Sequence, residues 1–253
     1  TIKAHFNAAE NAEIIFTAGA TDGINLVAGT WGRANLTSSS TVLVTRLEHH
    51  SNIVPWQILA SEIGFKIEVV EIFPEGTIDL EDYKAKLALA PSLVCFSHVS
   101  NTLGTINDAK QLTSLAHDAG AIVMVDGAQA APHMNVDLQD INCDFYVASG
   151  HKMYGPTGIG FLYGKRALLD AMPPWRGGGE MISSVSFDVP TTFNVPPYKF
   201  EAGTPHISGA IALGAAIKWM ESVGLENIAA HELALTKYAH EKLLQIEGLR
   251  IYG

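Results

Sequence analysis

Cysteine is scarce in this sequence of 253 residues, which contains only Cys95 and Cys143. Both lie in or beside apolar segments typical of strands, so we expect two reduced, buried thiols rather than a disulfide framework. This usage is typical of a cytoplasmic protein. No Cys and His residues have the spacing of zinc ligands, and we expect no metal centre.

Positive charge is also in short supply, because 16 Lys and Arg residues against 26 Asp and Glu residues give a net charge of −10. This balance argues against nucleic acid or an anionic membrane surface as the main partner, although a local basic pocket for a small anion is compatible with it. The sequence lacks an apolar run of about 18 residues, so we expect no membrane span. It also lacks a recognisable signal peptide.

Hydrophobic residues are abundant, at 47%, which is enough for one large domain with a sizeable core. Residues 1–11 are typical of the last part of a helix, and residues 248–253 of the first part of a strand. We therefore expect an internal piece of a longer protein. Its large domain would span residues 1–247, and residues 248–253 would begin a small C-terminal domain that is otherwise absent.

Apolar segments of strand length alternate with helical patterns along the chain. The predicted strands are residues 13–16, 41–45, 66–72, 92–97, 121–125, 144–148 and 159–163, and the predicted helices include residues 54–63, 80–90, 108–119, 208–223 and 227–245. Apolar strands that alternate with helices indicate an α/β fold of three layers, with a mainly parallel sheet flanked by helices.

Polar residues follow these strands at the points where each strand ends. They are Thr21, His49, Asn101, Asp126, Gln129 and Lys152. Ligands of parallel sheets bind at the carboxyl ends of the strands, so we expect these six residues to share one pocket. The turn before Thr21 opens a helix and can bind an anion, but an ordinary N-cap by Thr21 is the alternative.

Lys152 lies between two predicted strands, in a turn rich in glycine. A surface lysine in a loop is one interpretation, and an amine nucleophile that forms a Schiff base is the other. Asp126 follows a wholly apolar strand, where a carboxylate is costly unless it is paired. It could pair with a backbone turn or with a protonated ring nitrogen. A Schiff-base lysine together with such an aspartate describes pyridoxal 5′-phosphate (PLP) chemistry.

Seven segments carry a resemblance that covers nearly the whole chain. They are residues 19–25 (GATDGIN), 48–56 (EHHSNIVPW), 99–104 (VSNTLG), 125–130 (VDGAQA), 149–160 (SGHKMYGPTGIG), 177–181 (GGGEM) and 200–205 (FEAGTP). The chain resembles the class V aminotransferase superfamily of fold-type I PLP enzymes, and within it the cysteine desulfurase and selenocysteine lyase group. The segments at 149–160 and 48–56 are the most specific.

The resemblance implies a role for each matching residue. Lys152 would form the Schiff base with PLP and move the proton at the substrate Cα, and His49 would stack on the pyridine ring. Asp126 would keep the ring nitrogen protonated, while Gln129 would bond the phenolic oxygen. The phosphate would be bound by Ala20 through its backbone N–H, by Thr21, Ser149 and His151, and by Thr204 from the other subunit of a homodimer. Asn101 would contact the substrate carboxylate.

Four departures from the family pattern stand out. Ala18 occupies a position that is often Arg, and Asp22 one that is Glu. The small C-terminal domain of the family, with its nucleophilic Cys and the Arg that clamps the substrate carboxylate, has no counterpart, and neither Cys95 nor Cys143 matches that nucleophile. The N-terminal segment of the family also has no counterpart.

The implied function is that of a cysteine desulfurase, which converts L-cysteine to alanine and an enzyme persulfide. The sulfur would pass to an acceptor protein for iron–sulfur cluster assembly. L-Selenocysteine is an alternative substrate, and another class V reaction is an alternative activity: transamination, epimerisation or cleavage of the kynureninase type. A piece that binds PLP or dimerises without turnover is the third possibility.

Overall fold

The computed structural model describes residues 1–253, and its main feature is a seven-stranded sheet. The strands are β1 (Ile14–Thr17), β2 (Thr41–Thr45), β3 (Lys66–Val70), β4 (Leu93–Ser97), β5 (Ile122–Asp126), β6 (Phe145–Ser149) and β7 (Gly160–Gly164). Their spatial order is β1-β7-β6-β5-β4-β2-β3. β7 runs antiparallel to β1 and β6, and the other four strand pairs are parallel, so the predicted mainly parallel sheet is confirmed.

Ten helices accompany the sheet. They are α1 (Ile2–His5), α2 (Ala20–Val27), α3 (Arg33–Asn35), α4 (Val54–Ile63), α5 (Leu80–Leu87), α6 (Ala109–Asp118), α7 (Leu138–Ile141), α8 (Arg166–Ala171), α9 (Ile207–Val223) and α10 (Leu225–Leu243). A π-helical turn, Ala28–Gly32, joins α2 to α3, and short 3₁₀ turns occupy Asn11–Glu13, His50–Asn52, Gly150–Lys152 and Tyr198–Phe200.

Two hydrophobic cores lie on opposite faces of the sheet. Successive residues of β4 alternate between them: Val94 and Phe96 belong to the core beside α5, α6 and α9, whereas Leu93 and Cys95 belong to the core beside α2, α4 and α8. Side chains of a strand point alternately to its two faces, so a strand covered on both sides must be apolar throughout. This is why β4 and β6 are buried along their whole length. The three-layer architecture is confirmed.

Local contacts define the ends of several helices. Asp79 and Asp108 cap α5 and α6 by accepting backbone N–H groups, and Gly120 follows α6 with a φ of +81°. The alternative interpretation of Thr21 as an N-cap is wrong, because α2 begins at Ala20 and Thr21 lies within its first turn.

Two segments differ from their predicted structure. A small hairpin of β8 (Ile182–Ser184) and β9 (Thr192–Phe193) forms where no strand is predicted. Residues 249–253 form no strand. The domain boundary at residue 247 stays a prediction. No helix of the structure combines the length and the apolar character that a membrane crossing requires.

Candidate active site

The carboxyl ends of the central parallel strands surround a cavity of about 190 Å³. Its lining contains nearly all the residues that the sequence singled out: Ala20, Thr21, His49, Asn101, Asp126, Gln129, Ser149, His151 and Lys152. Four residues that the sequence did not single out complete it: Ser51, Ser97, Val99 and Ala128. The prediction that the six strand-end residues share a pocket is therefore confirmed.

Lys152 ends the 3₁₀ turn that follows β6. Gly150 opens this turn where the chain has no room for a side chain, since a Cβ there would lie 2.8 Å from the carbonyl oxygen of Ile159. Lys152 is half-buried, and its Nζ forms neither a hydrogen bond nor an ion pair within the chain. A half-buried amine without a partner, directed at a cavity, is available to a ligand.

Asp126 is the last residue of β5 and is only 7% exposed. The backbone N–H of Ala128 donates to its Oδ1 at 3.0 Å, whereas Oδ2 has no hydrogen-bond partner within the chain. Burial raises the pKa of Asp126, although that N–H and the nearby positive charge of Lys152 act in the opposite direction. Asp126 lines the cavity, so Oδ2 is open to a hydrogen-bond donor of a bound ligand.

His49 and Thr21 lie on one wall of the cavity and are joined through Ser51. The Oγ of Ser51 lies 2.8 Å from Nδ1 of His49 and 2.7 Å from Oγ1 of Thr21. The backbone N–H of Ser51 also donates to Nδ1, at 3.1 Å. Sequence reasoning missed Ser51, because nothing in its own position shows that Thr21 lies beside it.

Ser149 and Ala20 form the end of the cavity next to α2. The hydroxyl oxygen of Ser149 accepts the backbone N–H of Ala20 at 2.9 Å. The first turn of a helix has N–H groups without intrahelical acceptors, and the helix dipole favours a negative charge beside them. This end of the cavity is therefore suited to a phosphate group.

The remaining predicted residues fall into two sets. Asn101, Gln129 and His151 line the cavity and make no side-chain hydrogen bond within the chain. Thr204 is exposed and does not line this cavity. Its predicted partner is the other subunit of a homodimer, so its role stays a prediction.

Glu48 lies directly behind His49 and is a second residue whose role the sequence did not show. It is buried and accepts four hydrogen bonds, from the hydroxyl of Thr45 at 2.5 Å, from the amide of Asn52 at 2.7 Å, and from the backbone N–H and the hydroxyl of Ser97. Burial raises the pKa of Glu48 to about 7, even though these donors lower it. Glu48 thereby fastens the loop that carries His49 to the end of β4.

Neither cysteine and no arginine belongs to the cavity lining. Cys95 and Cys143 are buried and unpaired, as predicted, and burial raises the pKa of both thiols. A thiol with a raised pKa inside the core is a poor nucleophile. No group of three or more His, Cys, Asp or Glu side chains is arranged to bind a metal ion.

The family model for aminotransferase class-V matches residues 1–253. The chain belongs to this family. A cysteine desulfurase of Serratia proteamaculans is 48% identical over 252 residues, which are 100% of this chain and 62% of that protein. The chain thus spans less than two thirds of the length of this relative.

Two solved structures have folds closely similar to this one. The cysteine desulfurase CsdA from Escherichia coli gives a TM-score of 0.94 at 38% identity, covering 98% of this chain and 62% of that one. The apo structure of the cysteine desulfurase from Thermococcus onnurineus gives a TM-score of 0.94 at 40% identity, covering 100% of this chain and 62% of that one.

PLP is the cofactor of the class-V family, and the cavity fits it. Three features of the cavity match three of the polar groups of that molecule. The free Nζ of Lys152 suits its aldehyde, the unpaired Oδ2 of the buried Asp126 suits its protonated ring nitrogen, and the first turn of α2 suits its phosphate.

Proposed function

We propose that this chain is the PLP-binding part of a cysteine desulfurase. The observation that carries the proposal is the meeting of Lys152 and Asp126 in one cavity, each with a polar atom that has no partner in the chain. The identity to cysteine desulfurases over the length of the chain supports the choice of this reaction within the family.

The proposed roles of the cavity residues follow from their chemistry. Lys152 would hold the cofactor covalently and carry the proton to and from the substrate Cα. Asp126 would hold the ring nitrogen protonated, and His49 would stack on the ring. When bound, PLP withdraws electrons from the substrate Cα and so makes its proton acidic.

The other residues would orient the two ligands. Gln129 would donate to the phenolic oxygen of the cofactor, and Asn101 would contact the substrate carboxylate. The phosphate would be bound by the backbone N–H of Ala20 and by the side chains of Thr21, Ser149 and His151, with Thr204 reaching it from the second subunit of a homodimer.

The proposed overall reaction breaks the Cβ–S bond of L-cysteine and forms an S–S bond on the enzyme. A protein thiol loses its proton and attacks the substrate sulfur, which it accepts as a persulfide. The carbon skeleton takes one proton on Cβ, equivalent to the one that the thiol lost, regains the proton at Cα, and leaves as alanine. The thiol must come from outside residues 1–253, because both cysteines of the chain are buried. L-Selenocysteine is the alternative substrate.

The proposed partners and location complete this function. We place the protein in the cytoplasm, as a homodimer that transfers persulfide sulfur to an acceptor protein for iron–sulfur cluster assembly. The scarcity and burial of its cysteines support a reducing compartment. Residues 1–247 would form the PLP-binding domain.

Borohydride trapping tests the proposal. Purified chain incubated with PLP is treated with borohydride, and the modified peptide is located by mass spectrometry. We expect the adduct on Lys152 and its loss in Lys152→Ala. The exposed Lys237 on α10 offers a matched control, and Lys237→Ala should trap as the wild-type chain does. An adduct on another lysine in the wild-type chain would overturn the assignment.

A chain that binds PLP without turnover is the second candidate, favoured by the absence of Cys and Arg from the cavity lining. We expect no robust sulfide release when the chain receives PLP, L-cysteine and a reductant. Sulfide release would show that the nucleophile lies within the chain or is dispensable. Keto acid formation in place of alanine would favour a transamination.

A further inference from the structure

Three polar side chains form a continuous hydrogen-bonded series along one wall of the cavity. His49, Ser51 and Thr21 follow one another, with separations of 2.8 Å and 2.7 Å between the bonding atoms. Ser51 is the central member, and it approaches His49 twice, once through its hydroxyl and once through its backbone N–H.

The direction of these bonds follows from the one donor whose role is fixed. A backbone N–H can only donate, so Nδ1 of His49 must accept it and therefore carries no proton. The hydroxyl of Ser51 then donates to the same Nδ1, because otherwise a lone pair of the hydroxyl oxygen would face the lone pair of Nδ1. Its oxygen is left to accept the hydroxyl proton of Thr21.

A neutral imidazole with an unprotonated Nδ1 carries its proton on Nε2. Nε2 of His49 has no hydrogen-bond partner within the chain, and the residue lines the cavity. His49 therefore presents a proton donor on its free side.

The position of Ser51 is itself held from behind. It is the middle residue of the 3₁₀ turn His50–Asn52, in which the backbone N–H of Asn52 donates to the carbonyl of His49 at 2.8 Å. The side chain of Asn52 also donates to the buried Glu48. The turn is thus bonded to the buried Glu48, and moving Ser51 away from the imidazole would break the hydrogen bonds of Asn52.

We propose that Ser51 is a positioning residue that holds His49 in its Nε2–H tautomer and joins it to Thr21 at the phosphate end of the cavity. The tautomer is a property of the cofactor-free chain. Its use toward a bound substrate or cofactor rests on the proposed function.

The tautomer can be measured directly by NMR on the cofactor-free chain labelled with ¹⁵N in its histidines. Long-range ¹H–¹⁵N spectra at about pH 8, where an ordinary imidazole is neutral, distinguish a protonated from an unprotonated Nδ1. The sequence has 10 His residues, and the spectrum of His49→Gln identifies the signals of His49 by their loss. We expect the wild-type chain to show an unprotonated Nδ1. A protonated Nδ1 would overturn the proposal without any further variant.

Ser51→Ala removes the hydroxyl and keeps the backbone donor. We expect the ratio of the Nδ1–H to the Nε2–H tautomer of His49 to rise about fivefold, the change in equilibrium that one ordinary hydrogen bond supports. Ser51→Thr restores the hydroxyl and should restore the wild-type ratio. The signals of the exposed His240 on α10 serve as the internal reference and should not move. Unchanged His49 signals in folded Ser51→Ala would overturn the assignment.

Thr21→Val tests the order of the series. The bond from Ser51 to His49 survives in this variant, so its effect on the tautomer should be smaller than that of Ser51→Ala. If Thr21→Val changed the tautomer ratio as much as Ser51→Ala does, Thr21 would be the residue that controls the tautomer of His49. The NMR measurements use the cofactor-free chain and so do not depend on PLP binding. A failure of borohydride trapping would therefore overturn the proposed function but not the role of Ser51.

Discussion

Glu48 accepts two hydrogen bonds from Ser97, one from the backbone N–H at 2.9 Å and one from the hydroxyl at 2.8 Å. These bonds join the loop after β2 to the end of β4, and both joined segments line the cavity. The carboxyl group of Glu48 is buried at this junction, and burial raises its pKa to about 7.

Glu48→Gln should change how stability depends on pH. The folded-state pKa of about 7 is above the ordinary value of 4.5, so the stabilising contribution of protonated Glu48 is fully present below about pH 4.5 and is lost as the pH rises through 7. The shift corresponds to about 3 kcal/mol. We expect the stability of the wild-type chain, relative to Glu48→Gln, to fall by this amount between pH 4.5 and 8 in urea denaturation. A constant difference over this range would contradict the raised pKa.

His98→Gln should change the pH dependence of stability in the opposite direction to Glu48→Gln. His98 is buried, 3.2 Å from the hydroxyl of Tyr146, and burial lowers its pKa from 6.5 to about 4. Its contribution is fully present above pH 6.5 and is lost as the pH falls through 4, again by about 3 kcal/mol. Relative to His98→Gln, the wild-type chain should therefore lose stability as the solution is acidified. The same urea series measures this, and parallel curves would show that His98 protonates normally when folded.

Asp126→Asn should raise the stability of the cofactor-free chain and weaken its binding of PLP. Burial raises the pKa of Asp126, so the ionised carboxylate costs stability above the ordinary Asp range, and a neutral amide removes that cost. We expect the cofactor-free variant to be more stable than the wild-type chain at pH 8, yet to bind PLP more weakly by absorbance titration. Asp188→Asn changes charge at an exposed position and should alter neither property. Undiminished PLP affinity in Asp126→Asn would remove the role proposed for Asp126.

Gly127→Ala should disturb the cavity, because Gly127 lies between the lining residues Asp126 and Ala128. A Cβ at residue 127 would lie 2.0 Å from two ring atoms of Tyr146, which is fully buried. Overpacking of this kind costs about 1–3 kcal/mol, and it would displace the neighbouring Asp126. Gly177→Ala is the matched control, because a Cβ there meets nothing within 4 Å.

Chemical denaturation and PLP titration of the two glycine variants check this expectation. Replacing Tyr146 by Leu in the Gly127→Ala background should recover part of the lost stability, since the two residues compete for one space. Equal stability of Gly127→Ala and Gly177→Ala would contradict the close approach of Gly127 to Tyr146.

The strand-end residues could be predicted from sequence because the fold demands a local signal at each of them. Strands covered on both faces, such as β4 and β6, must be apolar throughout, so a polar residue such as Asp126 shows where such a strand ends. Parallel strands end at one edge of the sheet, which places Asp126 and Lys152 together without knowledge of any distance. The hairpin of β8 and β9 had no such signal, because its strands are short and largely exposed.

The sequence by itself determined the layered α/β fold, the edge of the sheet where the polar residues meet, and the lysine and aspartate that suit PLP. Only the tertiary structure showed that Glu48 bonds Ser97 and that Ser51 joins His49 to Thr21. The physical reason is that periodicity and turn residues record the contacts of a segment with its own neighbours. A hydrogen bond between side chains from distant segments of the chain depends on how the fold places those segments and on side-chain rotamers, for which the sequence carries no local signal.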